Sequence, residues 1–175
     1  MITVLRLGHR KKRDVRLTTH VGLIARAFGA SEIIISGEKD ASVLKTLKQV
    51  TKRWGGPFKV RYEKNHRAAI RKFRGTRVHL SMYGLPIQNK IAGVRRAAKR
   101  KNLLIVVGGE KVPGEVYKLV DFNISVTQQP HSEAAALAIF LHEFLKGREL
   151  SKKFKAAKLR IVPQEKGKKV LMRRK

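Results

Sequence analysis

Apolar residues along this chain fall into short runs cut by Gly, Pro and charged clusters, and the runs alternate between two spacings. Ile2–Leu7 is a run rich in β-branched residues and predicts a first strand. Gly8-His-Arg-Lys-Lys-Arg-Asp14 follows as a basic loop. Val21, Ile24 and Phe28 recur at helical spacing, so a helix is expected to start at a Thr18 or Thr19 cap, run to Phe28 and end at Gly29. Ile33–Ser36 predicts a short strand. Asp40 then caps a second helix with Val43, Leu47, Val50 and Trp54 on one face, broken by Gly55-Gly-Pro57. Phe58–Tyr62 reads as a strand, His66–Phe73 as a short basic helix and Thr76–Ser81 as another strand. Tyr83-Gly-Leu-Pro86 reads as a turn opening a helix, with Pro at its first position. Ile87, Ile91, Val94 and Ala98 form the apolar face of that helix; Lys90, Arg95, Arg96, Lys99 and Arg100 form the other.

Two further strands, Leu103–Val107 and Asn123–Val126, each stop at a turn dense in Gly, Pro or polar residues. The helix Ser132–Leu145 is apolar nearly all round, which predicts burial on more than one side and a subunit interface as the second cover. Strands alternating with helices predict an α/β domain over residues 1–150, with a mostly parallel sheet and helices on both faces. Ligands in such sheets bind beyond the carboxyl ends of the strands. Residues 151–175 hold eleven Lys and Arg against one Glu and form a basic extension. There, Lys158–Pro163 and Lys169–Met172 flank Gln164-Glu-Lys-Gly-Lys168 as a β-hairpin.

Charge changes the picture. Of 175 residues, 42% are hydrophobic, enough for a real core, yet Lys plus Arg number 41 against 12 Asp plus Glu, a formal charge of +29. Such an excess repels itself unless a polyanion is present, and nucleic acid is the expected partner. With no cysteine, disulfides, thiolate metal sites and cysteine nucleophiles are excluded. Six histidines lack a metal-ligand spacing, so no metal is expected. The N-terminus lacks the order of a signal peptide and no apolar run approaches the ~20 residues of a membrane span, so a soluble, cytoplasmic protein without membrane partners is expected. Gly-x-Gly-x-x-Gly, the P-loop and the Gly-x-Ser-x-Gly elbow are all missing.

The candidate chemistry is spread along the chain. Gly108-Gly109 lets backbone approach a ligand, or is an ordinary strand-to-loop turn. Pro130-His-Ser-Glu133 is a ligand turn, or a helix cap with an acidic first turn. His20 and Arg26, six apart, share part of one helix face; Arg26 there is a site residue or a salt-bridge partner. Arg10, Arg13 and Arg16 are candidate RNA phosphate contacts. Charge alone suits both an RNA-modifying enzyme and a non-catalytic RNA-binding or ribosome-associated protein.

Taken together, several long motifs in one order resemble a known family. They are Leu5-Arg-Leu-Gly-His-Arg10, Thr18-Thr-His-Val21, Ala25-Arg-Ala-Phe-Gly-Ala30, Lys52-Arg-Trp-Gly-Gly-Pro57, His79-Leu-Ser-Met-Tyr-Gly84, Val107-Gly-Gly-Glu-Lys-Val-Pro113 and Gln129-Pro-His-Ser-Glu133. The chain resembles, from residue 2 to about 170, the archaeal tRNA cytidine-56 2′-O-methyltransferases of the SPOUT superfamily. The resemblance implies a C-terminal deep trefoil knot, a homodimer, tRNA as substrate and S-adenosylmethionine as cofactor. It implies cofactor contacts from Leu80, Gly108, Gly109, Glu110, Lys111, Val112, Val126, Thr127, Gln128, Gln129, Pro130, His131, Ser132 and Glu133. Thr127-Gln128 departs from the Gly-Asn common in the family. The related Asn-x5-Arg helix motif falls on His20 and Arg26, with His in place of Asn. Arg26 is then expected to clamp a phosphate and stabilise developing oxyanion charge, and His20 to accept the proton. Cytidine 56 as target rests on the resemblance; the alternative the residues leave open is another tRNA site or an rRNA.

Overall fold

The computed structural model describes residues 1–109 and 111–173. Its centre is a six-stranded parallel sheet of β1 (Ile2–His9), β2 (Glu32–Gly37), β3 (Lys59–Tyr62), β4 (Gly75–Pro86), β5 (Asn102–Val107) and β6 (Phe122–Ser125), ordered β3-β2-β1-β5-β4-β6. The helices are α1 (Val15–Ala27), α2 (Ala41–Trp54), α3 (His66–Lys72), α4 (Ile87–Ala97), α5 (Gly114–Leu119) and α6 (Glu133–Leu145). A 3-10 turn, Arg148–Ser151, leads into β7 (Leu159–Val162), which pairs antiparallel with β8 (Lys169–Met172).

Strand alternation sorts the core into two layers. Val4, Leu103, Ile105 and Val107 face one way and pack with Val21 and Ala25 of α1, Val43 and Leu47 of α2, Ile91 and Val94 of α4, and Leu137 and Phe140 of α6. Leu5, Leu7, Leu104 and Val106 face the other way, onto Ile70 of α3 and Val116 of α5. Both faces of the sheet are thus covered, which is why β1 and β5 are apolar almost throughout. Asp40 caps α2, its side chain accepting from the Ser42 and Val43 amides.

Three local expectations are corrected. Helix α1 begins at Val15, not after a threonine cap. The segment after Arg10 folds into a turn, with the Asp14 amide donating to the Arg10 carbonyl at 2.8 Å, and this launches the helix early. Thr18, fully buried, instead meets His9 Nδ1 at 2.9 Å, and Thr19 donates to the Val15 carbonyl. Tyr83–Pro86 is no free turn but the end of the long strand β4, whose pairing with β6 slips between Leu80 and Leu85, both opposite Ile124. Pro86 occupies the cap of α4 rather than its first turn. The short helix α5 had no counterpart among the elements read from periodicity; six residues give too few turns to show one.

The two ends of the sheet differ. At the amino end, the residues after α6 run across the last turns of α1 and α2. Lys152 Nζ donates to the Gly29 carbonyl at 3.2 Å, the Gly56 amide to the Lys155 carbonyl at 2.9 Å and the Lys158 amide to the Arg53 carbonyl at 2.9 Å. The carboxyl end stays open.

Candidate active site

The opening lies where β1 and β5 run side by side and their onward connections diverge, the place where parallel α/β sheets bind ligands. A cavity of about 550 Å³ is enclosed by the ends of β1, β4 and β5, the start of α1, and the first turn of α6. That size suits a ligand of nucleoside dimensions.

Its floor is charged. Arg6, next to last in the apolar stretch of β1, is 1% exposed. Its guanidinium donates to the Leu7 carbonyl and lies 3.8 Å from Glu133 Oε1. Burial pushes its pKa down, and the Glu133 and Asp14 carboxylates push back. Arg6 Nε has no hydrogen-bond partner among the described residues. Asp14, also buried, accepts from the Arg10 amide at 3.1 Å and from Arg10 Nε at 3.2 Å. Burial alone would raise the Asp14 carboxyl; the Arg10 bonds and the nearby guanidinium of Arg6 outweigh it and hold the carboxyl low. Cations and carboxylates therefore alternate from Arg10 at the rim through Asp14 and Arg6 to Glu133.

One wall comes from β4 and α5. His79, fully buried, places Nδ1 3.0 Å from Asn123 Oδ1. Asn123 Nδ2 donates to the Tyr117 carbonyl at 2.9 Å, which turns the amide oxygen toward the imidazole and assigns the proton to Nδ1. Burial lowers the His79 pKa, against the Asn123 bond, so the ring is neutral. The His79 ring meets Tyr117 edge-on at 4.7 Å, and the Tyr117 hydroxyl sits 3.1 Å from Ser81 Oγ.

The opposite wall is backbone. A Cβ on Gly108 would lie 2.1 Å from Val112 Cγ2; one on Gly109 would stand 3.7 Å from Arg6 Nη1 and 3.8 Å from Glu133 Oε1. Glycine at both positions keeps the loop after β5 against the cavity. The apolar lining comes from Leu17, Leu80, Val107, Val112 and Ala136.

Of the residues expected from sequence, Leu80, Gly108, Gly109, Val112, Pro130, His131 and Glu133 line this cavity, as do Arg10 and Arg13. Lys111, Val126, Thr127, Gln128, Gln129 and Ser132 are not among the lining residues; Ser132 caps α6, accepting from the Ala134 amide at 3.1 Å, and Thr127 Oγ1 accepts from the Gln129 amide. Glu110 lies outside the described residues. Arg16 and His20 are exposed on α1 and do not line the cavity. Arg26 lies about two and a half turns beyond the cavity-lining Leu17, at the amino end of the sheet. Its Nη2 donates to the Gly55 carbonyl at 2.6 Å, and its guanidinium lies 4.6 Å over the Phe154 ring. Within one protomer, His20 and Arg26 are therefore not brought to the cavity. Residues passed over in the sequence are Arg6, Asp14 and His79; the signal for Arg6 was a lone charge inside an apolar strand. Among the described residues no group of His, Asp or Glu could hold a metal, and no helix is long and apolar enough to cross a membrane.

A parallel sheet with helices on both faces and a glycine-lined cavity at its switch point defines an α/β protein with room for a nucleoside-sized ligand. The model of the tRNA ribose 2′-O-methyltransferase family aTrm56 matches residues 54–171, and the chain belongs to that family. A tRNA (cytidine(56)-2′-O)-methyltransferase from Thermococcus kodakarensis is 54% identical over 174 residues, 98% of this chain and 97% of that protein. One from Pyrococcus horikoshii is 52% identical over 172 residues, 98% of this chain and 85% of that protein. Among solved structures, the SpoU methyltransferase AviRb from Streptomyces viridochromogenes, in complex with the cofactor AdoMet, superposes with a TM-score of 0.56 at 14% identity. The match covers 87% of this chain and 59% of that one, and it shows likeness of fold.

Proposed function

We propose that this chain transfers a methyl group from S-adenosylmethionine to the ribose 2′-oxygen of cytidine 56 in tRNA. The observation that carries this reading is identity above 50%, across nearly the whole chain, to proteins named for that reaction, together with a cavity built from the same motif loops. Bound S-adenosylmethionine would supply an activated methyl group. The residues present suit it: glycine backbone at 108 and 109, an apolar lining, and carboxylates at Asp14 and Glu133 that complement a cationic ligand in a chain of charge +29. Leu80, Gly108, Gly109, Val112 and the 130–133 turn would hold it. Lys111, Val126, Thr127, Gln128, Gln129 and Ser132 would then act through loop shape.

Arg10 and Arg13 at the rim would take RNA phosphates, with Arg16 and the basic 151–175 extension adding affinity without sequence choice. Alignment of the two reacting centres is worth several kcal/mol. His20 enters this reading as a group offered to the cavity of a second copy, and Arg26 as a brace on which α1 and the C-terminal extension are held. A dimer is supported by apolar residues left exposed on α6 and beside the cavity mouth: Ile139, Tyr83 and Leu85. The fold likeness to SpoU proteins supports a trefoil knot through the loops after β5 and β6, and the absence of cysteine fits a cytoplasmic setting.

Transfer of labelled methyl to an unmodified tRNA transcript, beside one with 2′-deoxycytidine at position 56, tests the reading. Label is expected on the first alone. Equal label on both removes the site, and no label on either removes the reaction.

A further inference from the structure

Residues 64–109 hold twelve Lys and Arg and no Asp or Glu. Three of these cations meet carboxylates from elsewhere: Arg67 meets Glu115, Arg77 meets Asp121 and Arg95 lies beside Glu143. The loops that open β4 and β5 bring four others together. Arg74 precedes β4, and Lys99, Arg100 and Lys101 precede β5; all four are exposed and, among the described residues, none meets a carboxylate. Helix dipoles do not account for them. A cation in the last turn of a helix complements the dipole, as Arg71 does in α3 and Arg96 in α4, but the effect ends within that turn. The loops are also pinned to each other. Gly75 pairs with Asn102 on the first rung between β4 and β5, where a Cβ on Gly75 would lie 2.2 Å from the Asn102 carbonyl oxygen. Asn102 Nδ2 donates to the Arg74 carbonyl at 3.4 Å, and the Lys101 amide to the Ala98 carbonyl at 3.0 Å. Arg100 has a φ of 61°, a left-handed conformation that glycine or asparagine adopts at less cost. Backbone stability therefore gives no reason for arginine at 100.

We infer that this cationic edge, at the amino end of β4 and β5, is a second RNA contact that takes backbone phosphates of the tRNA whose ribose enters the cavity. It rests on the reading of tRNA as substrate given above. Strand β5 is six residues long, so the edge stands about 20 Å from the cavity. One nucleotide does not span that distance, whereas a folded RNA does. Arg74 and Arg100 offer guanidinium forks that match phosphate oxygens, and Lys99 and Lys101 add compact charge. The segment after α6 crosses the ends of α1 and α2 and leaves this edge bare. Contacts of this kind give affinity and register without choice of base.

One variant combines Arg74→Gln, Arg100→Gln and Lys101→Gln. A second, with the same loss of charge on the exposed face of α2, combines Lys45→Gln, Lys48→Gln and Lys52→Gln. Binding of an unmodified tRNA transcript is measured over a range of salt concentrations. The first variant is expected to bind about tenfold more weakly at about 0.1 M salt, and its log affinity should fall less steeply with log salt, by about 2–3 in slope. The α2 variant should stay within about twofold of the parent. In steady-state transfer the first variant should show a raised KM for tRNA at unchanged kcat, with S-adenosylmethionine affinity unmoved. Parent-like affinity and slope in the first variant would overturn the assignment. So would an equal loss in both variants, which would make the edge one part of a diffuse surface charge. If the parent transfers no methyl while the binding differences appear as expected, the edge stands and the methyl-transfer reading falls.

Discussion

Arg6 and Arg26 look alike by burial and differ in everything around them. Both are buried, burial lowers the pKa of both, and each leaves its Nε without a partner among the described residues. Arg6 stands at the carboxyl end of the sheet, facing a partly exposed carboxylate across a cavity. Arg26 stands at the amino end, spent on a backbone carbonyl and an aromatic ring. The same division runs through the two ends as a whole. The amino end is closed by ties to backbone carbonyls: Arg26 to Gly55, Lys152 to Gly29, and Arg95 to Phe144 at 3.2 Å. The carboxyl end is held by carboxylates: Asp14 and Glu133, whose partners Arg10 and Arg6 line the cavity, and Asp40, which meets the buried His9. Interactions saturated by backbone serve stability; charges left partly unsatisfied beside a cavity are available to a ligand.

The largest effect expected lies at the carboxyl end and would sharpen the contrast by showing what holds that end in shape. A Cβ on Gly84 would lie 2.5 Å from the Ile124 amide nitrogen and 2.6 Å from the Asn123 carbonyl carbon. Backbone cannot yield there without parting β4 from β6, the two strands that carry His79 and lead into the 126–133 loop. Gly84→Ala should cost about 3 kcal/mol or more. In thermal unfolding that is a fall of roughly 6 °C or more, and an unchanged midpoint would mean the strands can separate freely.

Next comes Arg26. Arg26→Met removes a charge-assisted bond and a cation–π contact and should cost about 2–3 kcal/mol. Cofactor affinity of the folded protein should be unaltered. If instead stability holds and methyl transfer disappears, the amino end reaches the reaction through a second copy, and the division between the two ends fails.

Much of this was legible in the sequence. The strands of the sheet, the Asp40 and Ser132 caps and the two ligand turns follow from periodicity and turn chemistry. Helix α5 was hidden because six residues give too few turns to show a period, and the true start of α1 because the turn at Arg10–Asp14 outweighed the preference of threonine for caps. The site was half legible. Gly108, Gly109 and Glu133 announce themselves as turn residues, whereas Arg6 and Arg26 are both single charges in apolar segments. Only the strand order, which sets β1 against β5 beneath the start of α6, separates them.

The smallest effect concerns pH and the carboxylates that build the carboxyl end. Asp40 caps α2 and sits 3.3 Å from His9 Nε2, at the end of β1. The Ser42 hydroxyl bond first, then the Ser42 and Val43 amides and His9, hold its carboxyl down at about 2 against the opposing push of burial. A folded-state pKa below the unfolded value near 3.8 means the contribution of Asp40 is present above about pH 4 and disappears as pH falls toward 2. Asp40→Asn keeps a capping oxygen but removes the charge, so it should cost on the order of 1 kcal/mol at neutral pH. In melting curves between pH 6 and pH 2 the gap between parent and variant, roughly 2–4 °C at first, should close below pH 3. Arg26→Met, whose lost interactions involve no carboxylate, should keep its deficit across the same range. A gap for Asp40→Asn that stays constant in acid would show that its charge contributes nothing, and the carboxyl end would then be held by packing alone, as the amino end is by backbone.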